Sequence, residues 1–229
     1  MKLVLFDIDG TLLWTDGAGR RAMEGALFEI FGCHGDATIR YDGKTDMQIA
    51  REQMRGAGVA EAYISTRMDD VLHEYLLRLE QELERHPVAS RLCAGVHPLL
   101  DAVEAHDRAT LGLLTGNIEQ GARRKLHAVG LDFARFRVNA FGSDHEERPQ
   151  LPAVAQQRAR AFFGAAMPGD RMVIIGDTPA DIHCGRSLGV RAIGVATGRY
   201  SVDDLAAHDP AAVFETLEDT DAVLAAIFG

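Results

Sequence analysis

Short, unbroken apolar runs, each ending in a polar turn and leading into a helical pattern, constrain this chain more than any other feature. KLVLF at Lys2 to Phe6 is followed by DIDG, and the runs at Ala109 to Leu114, Met172 to Ile175 and Val190 to Val195 are followed by TGN, GDTP and ATG. A weaker run, Phe136 to Phe141, precedes GSD. Strands that are apolar at consecutive positions are buried on both faces, as in a parallel sheet covered by helices. Helical patterns at Ile118 to Val129, Pro152 to Phe163 and Asp181 to Leu188 fill the gaps. The alternation predicts a doubly wound α/β domain with ligands at the carboxyl ends of its strands.

One segment breaks the alternation. From about Asp16 to about Arg91 the apolar residues follow a helical period with no convincing strand: Ala22, Leu27, Ile30 and Phe31 make one stripe, and Val71, Leu72, Tyr75, Leu76 and Leu79 another. A small helical bundle inserted after the first strand is expected. Its borders are TDGAG, whose two glycines suit a hinge, and HPVASR, which holds a proline. The 229 residues have room for both units. The expected division is an α/β core domain of residues 1–15 and 92–229 and a helical cap domain of residues 16–91.

Composition bears on partners. With 24 Lys and Arg against 34 Asp and Glu, a formal charge of -10, and no dense basic run, nucleic acid and anionic membranes are not expected as partners. An acidic enzyme that handles anionic substrates must then gather positive charge locally, through a metal or a few Lys and Arg. Cys33, Cys93 and Cys184 are odd in number and widely spaced, and read as reduced thiols. The amino terminus has one Lys and a short apolar run that meets Asp7, which reads as neither a signal peptide nor a membrane span. A cytoplasmic location is the expectation.

Burying a carboxylate costs several kcal/mol unless something pairs with it, yet the first apolar run ends in FDIDGT. Asp7 and Asp9 are two apart at a strand end, so both side chains can project to one side. A second pair, Asp177 and Asp181 in IIGDTPADI, follows another apolar run. Either pair alone also suits turn and N-cap chemistry. Four carboxylates at two strand ends would repel one another without a hard cation between them, and magnesium fits oxygen ligands best. In LGLLTGN, Thr115, Gly116 and Asn117 follow a third run, where a hydroxyl and helix-start N–H groups suit either a phosphate or a cap.

DIDGT, LLTGN and GDTPADI, in this order and across nearly the whole chain, resemble the motifs of the haloacid dehalogenase-like hydrolases, in a phosphatase branch similar to the phosphoglycolate phosphatases. The resemblance implies a Rossmann-like core with an inserted helical cap, a magnesium cofactor and a small phosphorylated metabolite as substrate. Asp7 would attack phosphorus and form an aspartyl-phosphate. Asp9 would protonate the leaving alkoxide and then take a proton from the hydrolytic water. Magnesium would be held by the Asp7 carboxylate, the Asp9 carbonyl and Asp177. Thr115, Gly116 and Asn117 would serve the phosphate, and Asp181 would orient a metal-bound water or a basic residue.

The family has a Lys before a Pro upstream of the GDTPADI strand, whereas this chain has Arg148 before Pro149. Arg keeps the charge and adds a bidentate fork, and Arg148 reads as the replacement. Lys125 is the other candidate, but RRKLHAVGL reads as mid-helix surface. Lys44, in YDGKTDMQIA, falls where cap-bearing relatives place a specificity loop, and would meet a second anionic group of the substrate; Thr45 or Asp46 there also suits a helix cap. Phosphonoacetaldehyde hydrolases of the superfamily use a cap lysine at a similar position but lack the second aspartate, which favours an oxygen ester here. A mutase keeps both aspartates and stays open, as does a non-catalytic binding protein. The other histidines, among them His34, His86, His97 and His183, are scattered, and His183 reads as a surface helix residue; Trp14 and Tyr200 flank the loops, where they suit core packing, loop anchoring or the cleft lining.

Overall fold

The computed structural model describes residues 1–85 and 89–229. His86 and Pro87, the proline of the expected cap border, lie outside the described residues. β1 (Lys2–Phe6) buries Leu3 to Phe6 completely, as its unbroken apolar run requires. After a two-residue β2 (Leu13–Trp14) come α1 (Ala18–Phe31), α2 (Asp46–Gly56) and α3 (Glu61–Arg85). β3 (Arg91–Leu92) then pairs antiparallel with β2, Leu13 opposite Leu92 and Trp14 opposite Arg91. The helical insertion therefore leaves and rejoins the α/β unit through a short ribbon. Arg91 was expected in a strandless segment; a two-residue strand is too short for any period to show.

α4 (Val96–Glu104), β4 (Ala109–Thr115), α5 (Glu119–Ala128), β5 (Val138–Phe141), α6 (Leu151–Phe163), β6 (Met172–Gly176), α7 (Pro179–Cys184), β7 (Arg191–Val195), α8 (Val202–Ala206), β8 (Ala212–Phe214) and α9 (Thr220–Phe228) complete the chain. The main sheet has six parallel strands in the order β5-β4-β1-β6-β7-β8. All five expected strands are in it, and β8 is an addition. The helix expected over Asp181 to Leu188 is α7 followed by a separate 3-10 turn at Arg186–Leu188.

Alternate residues of β1 serve the two faces. Val4 and Phe6 pack with Leu99, Leu100, Leu126 and Val223 on one side, and Leu3 and Leu5 with Leu151, Ala155 and Ala159 on the other. Each such Leu or Phe contributes about 2 kcal/mol by burial. In the cap, Ala22, Leu27, Val71, Tyr75 and Leu79 from the two stripes meet around Met54, and Ile118 of the α/β unit joins their cluster. Ile30, Phe31, Leu72 and Leu76 are half-buried at its margin. Among the described residues no helix is long and apolar enough to cross a membrane.

Candidate active site

Phe6 is in register with Leu113 on one flank and with Ile175 on the other, so the loops after β1, β4 and β6 leave the sheet side by side. These loops carry Asp7 to Asp9, Thr115 to Asn117 and Asp177 to Asp181. They sit where the chain order reverses about β1, the position at which open parallel sheets bind ligands. Gly10 turns with φ +82°, and a Cβ there would stand 2.4 Å from Asp177 Oδ2. Glycine is thus required by both the backbone and the neighbouring carboxylate.

Asp7, Asp177 and Asp181 each present an oxygen within 4.8 Å of the others, and all three are buried. Arg148 lies against them: its Nη2 is 3.3 Å from Asp7 Oδ1 and hydrogen-bonds to Asp181. Asp181 also accepts from the Thr178 amide at 3.0 Å and its hydroxyl at 2.6 Å, forming a capping box at the start of α7. The capping reading of Asp181 is therefore true as well, and both its oxygens are engaged. Asp177 accepts from the Thr11 hydroxyl at 3.1 Å. Arg148 Nε has no hydrogen-bond partner among the described residues although it is buried.

Burial pushes the Asp7 carboxyl up to about 6, against the pull of Arg148 and with further push from Asp181 and Asp9. Burial and the carboxylates of Asp181 and Asp7 raise Asp177 well above its ordinary value. Burial disfavours the charged Arg148, but Asp181 and Asp7 outweigh it and hold the guanidinium protonated. Three carboxylates against one guanidinium leave the cluster short of positive charge, and the donors are all oxygen. Such a set fits a hard divalent cation.

The side chain of Asp9 belongs to a different group. Lys125 Nζ donates to Asp9 Oδ1 at 2.8 Å, to Asp9 Oδ2 at 2.7 Å and to Asn117 Oδ1 at 2.6 Å. Asn117 Nδ2 donates to Asp9 Oδ2 at 2.7 Å and to Thr115 Oγ1 at 2.8 Å. Lys125 was read as a surface residue; it is only 4% exposed. Ile118, Gly121, Ala122, Lys125 and Leu126 recur at the i, i+3, i+4, i+7, i+8 spacing of a buried helical face. That pattern is present in the sequence and carries the correction, since Arg123 and Arg124 on either register point elsewhere.

The first N–H groups of α5 are already taken. Ile118 N donates to Asp46 Oδ2 at 2.8 Å and Glu119 N to Ser143 Oγ at 3.3 Å. The helix start as a phosphate cradle is corrected to that extent, and neither Thr115 nor Asn117 caps α5 through its side chain. Asp46 comes from the cap, as does Thr45, which caps α2 by accepting from Gln48 N at 3.1 Å and donates to the Glu146 carbonyl at 2.6 Å. The Asp46 amide donates to Gly116 O at 2.8 Å. The loop at 43–46 is thereby fastened across the sheet edge.

Between cap and sheet edge lies a cavity of about 290 Å³, with Asp7, Asp9, Thr115 and Arg148 on one wall and Tyr41, Lys44, Tyr75 and Lys125 among its other lining residues. Lys44 hydrogen-bonds to Glu52, which offsets its charge. Trp14 is half-buried in the wall and donates to Thr197 O at 3.0 Å. Tyr200 packs with Ile182, Ala192 and Leu205 instead. His183 pairs with His208 at 2.9 Å on an exposed face.

A HAD-hydrolase-like family model matches residues 149–220. The chain is 27% identical over 218 residues to a probable phosphatase, IndB, of Dickeya dadantii (strain 3937), covering 95% of this chain and 90% of that one. Among solved structures it superposes on a hydrolase from Pseudomonas syringae with a TM-score of 0.73 at 19% identity, covering 99% of each chain. A predicted phosphoglycolate phosphatase from Haemophilus somnus 129PT gives a TM-score of 0.70 at 21% identity, covering 98% of each. The carboxyl-terminal third of the chain thus matches a HAD-hydrolase-like model, the chain as a whole is similar to a probable phosphatase, and its fold is shared with a solved hydrolase.

Proposed function

We propose that this protein is a magnesium-dependent phosphatase that hydrolyses a small phosphorylated metabolite, of phosphoglycolate or sugar phosphate type, through an aspartyl-phosphate on Asp7. The observation that carries the reading is the separation of two neighbouring carboxylates at one cavity. Asp7 is buried against Arg148, and Asp9 faces Lys125 and Asn117. One is placed as nucleophile and the other as acid and base.

An Asp7 oxygen attacks phosphorus while the bond to the ester oxygen breaks, and a protonated Asp9 gives its proton to the departing alkoxide. Asp9 then takes a proton from water as that water attacks phosphorus and the Asp7 carboxylate leaves. Both acceptor positions of the Thr115 hydroxyl are used by Asn117, through its side chain at 2.8 Å and its amide at 3.3 Å. The Thr115 proton is thereby left for a phosphate oxygen. A second phosphate oxygen gives the buried Arg148 Nε the acceptor it lacks. Gly116 lets the chain pass close beneath, and Asp181 holds Arg148 in place. The Asp7 and Asp177 carboxylates with the Asp9 carbonyl would hold magnesium, which supplies positive charge between the nucleophile and the anionic substrate.

In this reading residues 1–15 and 92–229 carry the catalysis and residues 16–91 enclose the substrate, with Lys44 on the cavity wall beside the leaving group. The test is phosphate release from a panel of phosphorylated metabolites, with magnesium and with chelator. Release that needs magnesium and falls by about 10³-fold or more in Asp7→Asn is expected. Turnover that survives Asp7→Asn contradicts the nucleophile.

A further inference from the structure

Lys125 has no place in the steps above, yet it is buried in the cavity wall. Its ammonium has three protons, and all three have acceptors within 2.8 Å: both Asp9 oxygens and Asn117 Oδ1. No donor is left for a substrate. Asp9 is the unusual member of the site, because its side chain is 40% exposed while those of Lys125, Arg148 and Asp7 are under 10%. Among the described residues, its side chain hydrogen-bonds only to Lys125 and Asn117. Asn117 cannot fix Asp9 alone, since it reaches a single carboxylate oxygen. The fold makes room for the lysine: a Cβ on Gly19 of α1 would stand 3.2 Å from Lys125 Nζ.

We infer that Lys125 is the positioning residue of Asp9. It grips the exposed carboxylate at both oxygens so that it meets the leaving-group oxygen in one geometry, and Asn117 ties the grip to the Thr115 loop. The inference rests on the phosphatase reading and on the role of Asp9 in it. Lys125 touches neither substrate nor metal, and acts only through Asp9.

An acid positioned for the leaving group matters for an alkyl ester, whose alkoxide must be protonated, and little for a nitrophenyl ester, whose phenolate leaves unaided. The experiment compares kcat/KM for an alkyl phosphate and for p-nitrophenyl phosphate in wild type, Lys125→Met, Lys125→Arg and Asp9→Asn, with magnesium present. kcat/KM is the informative constant because it ends at the first irreversible step, before water attacks. Lys125→Met should lose at least about tenfold more on the alkyl ester than on the aryl ester, as Asp9→Asn does. Lys125→Arg, which keeps charge and donors, should recover most of the difference. In the Asp9→Asn background the Lys125 substitution should add less than about threefold on the alkyl ester.

Equal losses on the two esters, or additive losses in the double variant, overturn the inference while leaving the phosphatase reading intact. If Lys125→Met does not fold, Lys125→Gln, which keeps a polar side chain but cannot donate to both Asp9 oxygens as the ammonium does, takes its place: an equal loss on both esters likewise overturns the inference. Absence of wild-type turnover of either ester overturns the phosphatase reading and this inference with it.

Discussion

Asp46 stands at the first turn of α2, buried, with its Oδ2 accepting from Ile118 N at 2.8 Å. Burial pushes its carboxyl up to about 6, and Lys125 only partly offsets that. A folded value above the unfolded 3.8 means that the folded state holds this proton more tightly, so stability falls as pH rises from about 4 through about 6. About 2 units correspond to roughly 3 kcal/mol. Asp46→Asn keeps an acceptor for Ile118 and never ionises. Denaturant unfolding at a series of pH values should show it near wild type at pH 4 and about 1–3 kcal/mol more stable above pH 7. At this scale the sequence was most informative where a residue follows a strand: Asp7, Asp9, Thr115, Asp177 and Asp181 are all brought to one edge. Arg148 was legible from its proline neighbour and is in contact with Asp7 and Asp181. Lys125 was misplaced for a physical reason, because its partner Asp9 is distant in the chain and a charged residue in a helical stretch reads as solvated until its face is known.

The loop at 43–46 works as an element rather than as single side chains. Its Lys44 carbonyl approaches Gly116 so closely that a Cβ there would lie 2.0 Å from the oxygen, and a Cβ on Gly43 would lie 2.5 Å from that of Ala180. Gly116→Ala must therefore push this loop off the sheet edge. Misplacement by about 1 Å costs up to about 10²-fold in rate, so phosphate-release kinetics should show kcat/KM down at least about tenfold. The unfolding midpoint should fall as well, since displacing the loop breaks the Asp46–Gly116 and Ile118–Asp46 hydrogen bonds. Unchanged kinetics would show that the loop's close seating is dispensable. Strands and helices with long apolar patterns were legible; β2, β3 and β8 were not, at two or three residues each. Such strands exist through pairing with distant partners, as Leu13 does with Leu92, and local pattern holds no trace of that.

At the scale of the molecule, the α/β unit brings the carboxylates and Arg148 together, and the helical cap adds Tyr41, Lys44 and Tyr75 to the lining of the same cavity. The doubly wound sheet and the helical insertion were both legible, because each imposes its own hydrophobic period over many residues. The shape of the cavity was not, since its walls come from segments far apart in sequence. The proposed reaction passes through an activated intermediate on Asp7. That intermediate is the centre of the account. The most direct measurement is acid-quenched mass spectrometry of the protein mixed with magnesium and p-nitrophenyl phosphate, whose leaving group needs no acid, for wild type and Asp9→Asn. A phosphoryl group on Asp7, more abundant in Asp9→Asn because hydrolysis of the intermediate lacks its base, is the predicted result. Product formation with no phosphorylated protein at any quench time, or phosphate on a residue other than Asp7, would contradict it.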